Sequence, residues 1–212
     1  MNPGNKFPFS PRGYYLLLFW AQRLLPAAIY DRLFPGVDDV FLPRPLPGTP
    51  QMWLDAIAGS DSRAWKDATL ILGGITESDK LDVHPFIAAL SHPNGDVVFW
   101  SLCALGRMGE PAKIALNSLK TVLKHPEFGN RCQAINVLRA LAIEDEDIQN
   151  SIAAMLEDIN PSVRVEAVLA LESAKPLQAL TISKIQKLLA DADEDVRHYA
   201  ARCLDLNETE TS

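Results

Sequence analysis

The sequence predicts an all-α fold, an α-solenoid of five 33-residue helical hairpins over residues 51–206 preceded by an N-terminal apolar helical segment. Three observations carry that expectation. Apolar residues return every 33 positions, each unit breaks once at a polar turn between two helix-period stretches, and no stretch alternates with period two between hairpin turns.

Residues 1–34 stand outside the repeat. Tyr14-Tyr15-Leu16-Leu17-Leu18-Phe19-Trp20-Ala21 is the most hydrophobic stretch of the chain, but Gln22-Arg23 interrupts it after eight residues. A lone membrane-spanning helix needs about 20. Arg23 inside the apolar region, with no clear Ala-x-Ala site after it, also fits a secretory signal poorly. Two short helices are expected instead, at about 12–25 and 26–34, with Pro26 opening the second. Two roles suit them. The segment either caps the open end of the first repeat or docks into a larger complex, or it lies peripherally on a membrane surface through residues 12–34. In the membrane role Tyr14, Tyr15, Leu18, Trp20 and Tyr30 sit at headgroup depth, and Arg23, with Arg12 and Arg32, meets anionic lipid.

Residues 35–50 hold five prolines, Pro35, Pro43, Pro45, Pro47 and Pro50, a density that opposes regular helix and favours an extended strap. The repeat domain, 51–206, then runs without insertion. One column of the 33-residue register is Leu72, Leu105, Leu138, Leu171 and Leu204, and a second is Ala68, Ser101, Ala134, Ala167 and Ala200. A third is Ile57, Leu90, Leu123, Leu156 and Leu189, and a fourth is Trp53, Phe86, Leu119, Ile152 and Ile185.

In the fourth unit Asp147–Asp158 carries Ile148, Ile152, Met155, Leu156 and Ile159 at helical spacing. Asn160-Pro161-Ser162 then stops that helix and caps the next, Val163–Ser173. Equivalent polar turns lie at His92–Asp96, His125–Asn130 and Asp191–Asp195. The tail 207–212 is polar and expected to fray.

The strings Asn160-Pro161-Ser162-Val163-Arg164-Val165-Glu166-Ala167-Val168-Leu169-Ala170-Leu171 and Asp193-Glu194-Asp195-Val196-Arg197-His198-Tyr199-Ala200-Ala201-Arg202-Cys203-Leu204 resemble HEAT repeats of the short bacterial kind, also seen in phycobilisome lyases. The resemblance covers about residues 51–206. It implies an armadillo-like right-handed superhelix whose second helices line a concave face, and a ladder in which the Arg after Val pairs with acids of neighbouring turns. Arg131, Arg164 and Arg197 match that column, with Asp158, Asp191 and Asp195 as candidate partners; Trp65 and Val98 replace the Arg in the first two repeats. Read as part-exposed pairs, these would contribute roughly 0–1 kcal/mol each.

Counting Val163 as position zero, positions zero, four, seven and eight are expected inside, and two, three and six outside. The outward set is Lys66, Asp67 and Leu70 in repeat one, Cys132, Gln133 and Asn136 in repeat three, Val165, Glu166 and Leu169 in repeat four, and His198, Tyr199 and Arg202 in repeat five. Repeat two offers Phe99, Trp100 and Cys103, large apolar groups where water is expected. Phe99 and Trp100, flanked by Gln133, Glu166 and Tyr199, are therefore the candidate anchor of a groove for a protein partner; packing inside the fold is the alternative.

Composition narrows the function classes. The charge is −7 overall, yet residues 1–50 hold five basic against three acidic side chains, so the repeat body is strongly acidic and unsuited to nucleic acid. Cys103, Cys132 and Cys203 have no metal-ligand or disulfide spacing and suit a reducing, cytoplasmic setting, with attachment to the inner face of a membrane as the peripheral variant.

His92 and His125, one period apart, read as helix-start residues before proline and not as metal ligands. Gly73-Gly74 and Gly106-Arg107-Met108-Gly109 read as helix ends, and Glu144-Asp145-Glu146-Asp147 as a solvated helix start. No catalytic constellation or cofactor site is evident. The expected function is a non-catalytic scaffold, adaptor or assembly factor for protein partners, with oligomeric state open. The resemblance implies one enzymatic alternative, a bilin lyase-like subunit acting on a chromophore protein; a membrane-peripheral subunit of a larger complex is the other.

Overall fold

In the computed structural model, which describes residues 46–174 and 177–210, ten α-helices pair into five consecutive hairpins. The pairs are α1 (Pro50–Ala58) with α2 (Ser62–Gly73), α3 (His84–Ala89) with α4 (Gly95–Met108), and α5 (Leu116–Val122) with α6 (Phe128–Ala142). They continue with α7 (Glu146–Ala154) and α8 (Pro161–Glu172), then α9 (Ala179–Lys187) and α10 (Glu194–Glu210). There is no strand among the described residues. Tyr14, Tyr15, Leu18, Trp20, Arg23, Tyr30 and the strap as far as Pro45 lie outside them.

Local chemistry sets the breaks. Asp61, Asn94, Asp145 and Asn160 each cap a following helix by accepting backbone N–H bonds through the side chain, and Pro161 occupies the first turn of α8, where its missing N–H costs nothing. Gly109 ends α4 at φ +64°, in the region where only glycine is unstrained. The first helices are short, six residues in α3 and seven in α5. Helices of that length are marginal alone in water, so stacking must hold them.

The columns of the register form that stack. Leu72, Leu105, Leu138 and Leu171 are fully buried, as are Phe86, Leu119, Ile152 and Ile185. Each second helix packs beside the second helix of the next repeat, so α2, α4, α6, α8 and α10 make a continuous layer. Burying one such leucine contributes about 1.5–3 kcal/mol.

Several expectations change in detail. The first described helix starts at Pro50, capped by Thr49, and Trp53 donates its indole N–H to the Pro47 carbonyl at 2.7 Å, so the last residues of the strap fold against α1. α10 continues to Glu210 instead of ending in a tail at 207. Ile159 is 93% exposed, because the chain has already left α7 through a 3-10 turn at Met155–Glu157. Gly106 does not end a helix. It lies inside α4, where an added Cβ would come within 3.2 Å of Val137 in α6, so its missing side chain lets the two helices approach.

Candidate partner-binding face

The second-helix layer begins with aromatic side chains. Trp65 in α2 meets Trp100 in α4 edge to face, with ring centroids 6.4 Å apart, and Phe99 meets Trp100 in the same way at 5.7 Å. Trp100 is thus only 8% exposed, packed into the junction of repeats one and two, and is not the outward anchor expected. Phe99 and Cys103, one turn further on, are half-buried. Burial pushes the Cys103 thiol up to about 12, and nearby Arg107 offsets this only in part.

The middle of the layer also departs from the outward expectation. Cys132, Gln133, Asn136, Val165 and Glu166 are buried, Glu166 completely. α6 and α8 each have a second helix on both flanks, so long side chains at these positions lie against neighbours. Gln133 keeps one amide oxygen without a hydrogen-bond partner among the described residues.

Towards α10, which has a described second helix on one flank only, the same positions open: His198 and Arg202 are exposed and Tyr199 is half-buried. Arg202 pairs with Glu172 of α8 at 2.6 Å and lies over the Tyr199 ring at 4.9 Å, so this end presents a braced aromatic and cationic surface.

The ladder runs along the turns. Arg131 holds Asp158 in a fork, Nε to Oδ2 and Nη2 to Oδ1, both 2.8 Å, while its Nη1 donates to the carbonyls of His125 and Pro126. Arg164 repeats the pattern with Asp191 at 2.9 and 2.6 Å, and its Nη1 reaches the carbonyls of Asp158 and Ile159. Side chains of the Arg131–Asp158 pair are each 9% exposed, so the part-exposed reading was wrong. Asp195 is no partner of Arg197 among the described residues: two positions apart in the first turn of α10, the two side chains do not face one another.

A register relation accounts for the histidines. His92, His125, Asp158 and Asp191 occupy one column, and each accepts the backbone N–H two residues on: His92 from Asn94 and His125 from Glu127 through Nδ1, Asp158 from Asn160 and Asp191 from Asp193 through Oδ1. Only the aspartates also bind an arginine. The imidazole therefore keeps the turn where the preceding repeat carries Trp65 or Val98 in place of Arg. This pairing could have been found in the sequence by comparing the two columns at an offset of 27 residues.

No protein-family model matches the chain, and no curated protein matches it in sequence. Its shape is matched by solved helical-repeat structures. The complex of CpcE and CpcF of phycocyanin lyase from Nostoc sp. PCC7120 aligns over 73% of this chain and 97% of that one, at 16% identity and a TM-score of 0.59. The fold is that of HEAT and armadillo repeat proteins. A designed armadillo repeat protein in complex with the peptide (KR)4 covers 90% of this chain and 99% of its own, at 15% identity and a TM-score of 0.53. The MAST/Orbit N-terminal domain covers 78% and 86%, at 16% identity and a TM-score of 0.54. At such identities the likeness concerns architecture alone.

Proposed function

We propose that this protein is a non-catalytic scaffold that holds a polypeptide partner along its second-helix layer. The observation that carries the reading is the layer itself: five adjacent helices whose accessible side chains run from half-buried Phe99, beside the Trp65–Trp100 pair, past half-buried Leu169 to Tyr199, His198 and Arg202. Aromatic and arginine side chains at the ends supply contact area at low entropic cost. A designed armadillo repeat protein of similar fold is in complex with a peptide, which supports a polypeptide as the partner class.

A photo-crosslinking residue placed at Phe99 or Tyr199, with a first-helix control at exposed Asp55, tests the proposal in native extract. Adducts to one protein from the first two positions and none from Asp55 are expected. Equal labelling from all three would remove the second-helix layer as the binding face. The likeness to the phycocyanin lyase complex favours a second reading, a lyase-like subunit handling a bilin. Mixing with a bilin and recording its absorbance decides that: an unchanged spectrum excludes it.

A further inference from the structure

A cleft of about 200 Å³ lies between α1 of repeat one and α3 of repeat two. Its floor is apolar, made by Leu54 of α1, Ala89 of α3 and Val97 of α4, all buried. Gln51, Asp55 and His92 supply its polar wall. The register explains why space remains there. Ala89 shares a column with Val122, Met155 and Leu188, so the later first-helix junctions carry a larger apolar side chain where this one has a methyl group. Val122 and Leu188 are buried in those junctions. Two of them are also bridged by ion pairs, Lys120 with Asp147 and Lys184 with Glu157, whereas none of the residues lining the cleft is a lysine or arginine.

The polar wall holds a single charge. Gln51 donates its amide N–H to Asp55 Oδ1 at 2.8 Å, which orients the carboxylate and leaves Oδ2 without a hydrogen bond among the described residues. His92 accepts the Asn94 N–H at Nδ1, 3.0 Å away, so its ring is neutral and its proton sits on Nε2. The cleft thus joins an apolar floor to a half-occupied carboxylate with no cation opposite. Its volume exceeds the roughly 150 Å³ that admits benzene and falls short of the roughly 300 Å³ at which drug-sized sites begin. The surrounding surface suits a small molecule better than a protein. Of the large apolar side chains that are exposed, only Met52 belongs to α1 or α3, far short of the roughly 800 Å² that each partner of a stable complex buries.

We infer that the α1–α3 cleft binds a small organic cation, a primary ammonium on an apolar body the size of one aromatic ring. The body rests on Leu54, Ala89 and Val97, and the ammonium donates to Asp55 Oδ2 and to the Gln51 amide oxygen, which the bond to Asp55 leaves available. Benzylammonium has this chemistry and serves as the probe. The cleft shares none of the residues named for the second-helix layer and does not depend on that layer holding a polypeptide.

Titration of the isotope-labelled full chain with benzylammonium chloride at pH 7, followed by amide chemical shifts, tests the inference. Saturable shifts at Ala58, Ala88, Ala89 and His92 are expected, with a dissociation constant of about 1 mM, the range for so few atoms. Benzyl alcohol, the neutral isostere, should bind about threefold more weakly, the size of an exposed charge pair, and benzoate more weakly still. Asp55→Asn, at an exposed position, should erase the preference for the ammonium and leave the alcohol unchanged. Ala89→Val, which gives repeat two the residue that repeat three carries, should abolish binding of both; if it fails to fold, Asp55→Asn still decides. A photo-crosslinking residue at Ala58 should capture no protein from native extract. No saturable shift up to about 20 mM, shifts centred elsewhere, alcohol bound as tightly as the ammonium, an ammonium preference that Asp55→Asn leaves intact, undiminished binding by folded Ala89→Val, or one protein captured from Ala58 each overturns the inference. None of these results bears on labelling from Phe99 or Tyr199, so the cleft and the second-helix layer fail independently.

Discussion

Arg131→Ala measures how far the turn ladder holds the stack together. The guanidinium makes two bonds to Asp158 and two to the carbonyls of its own turn, and both side chains of the pair are almost wholly shielded from water. Removing the arginine leaves the Asp158 carboxylate shielded, with the Asn160 N–H as its remaining hydrogen-bond donor among the described residues. Breaking one partner of a buried pair costs about 3–5 kcal/mol. Arg131→Lys should recover only part of this, because an ammonium cannot supply two parallel donors to the carboxylate. Asp158→Ala should cost a similar amount, increased by about 1 kcal/mol for the lost turn bond. In the double variant the losses should fall well short of their sum, since no stranded charge remains. Urea unfolding followed by circular dichroism at pH 7, with the slope compared between variants, provides the free energies. A loss below about 1 kcal/mol for Arg131→Ala, the range of a solvent-exposed bridge, would refute the argument that burial makes these rungs strong.

Three further outcomes follow from the same structure. Burial alone would raise the Asp191 carboxyl, but the Arg164 fork, the Asp193 N–H and the field of Arg197 outweigh it and hold it below its ordinary value of 3.8. The stabilisation is therefore complete above about pH 4 and is lost as pH falls through the lowered value; Asp191→Asn should flatten that part of a urea-midpoint series between pH 6 and 3, and an unchanged acid slope would count against it. Burial raises the Cys103 thiol to about 12 and the Cys203 thiol to about 11, the latter helped by Glu172. Both should resist alkylation at pH 8 in the native chain and react in urea, with mass spectrometry as the readout; rapid native labelling of either would contradict the packing. Gly106→Ala should destabilise by about 1 kcal/mol, the 3.2 Å approach to Val137 outweighing the gain in helix propensity, whereas in a Val137→Ala background the same change should stabilise. The same sign in both backgrounds would show that the α4–α6 spacing is not what demands glycine.

The repeat, its period and the all-helical architecture could be read from residue order because burial recurs at a fixed interval: Leu72, Leu105, Leu138 and Leu171 are all in the core, and Asn160 caps a helix as its chemistry suggests. A 33-residue spacing is a one-dimensional property, and a stack whose units contact only their neighbours preserves it. The outer faces of the second helices were not legible in the same way. Whether Trp100, Gln133 or Glu166 meets water depends on what lies across from it, Trp65 in the first case and the flanking helices in the others.

Residue order by itself determined that five hairpins must lean on one another, and which side of each helix they share. Tertiary structure alone decided that the arginine rungs are shielded and strong, that histidine stands in for aspartate where no arginine arrives, and that Arg197 donates its Nη1 to the carbonyls of its own turn as Arg131 and Arg164 do. The physical reason is that helical periodicity specifies a direction around one axis. Desolvation and charge pairing depend on distances between axes, which are known only once the helices are packed.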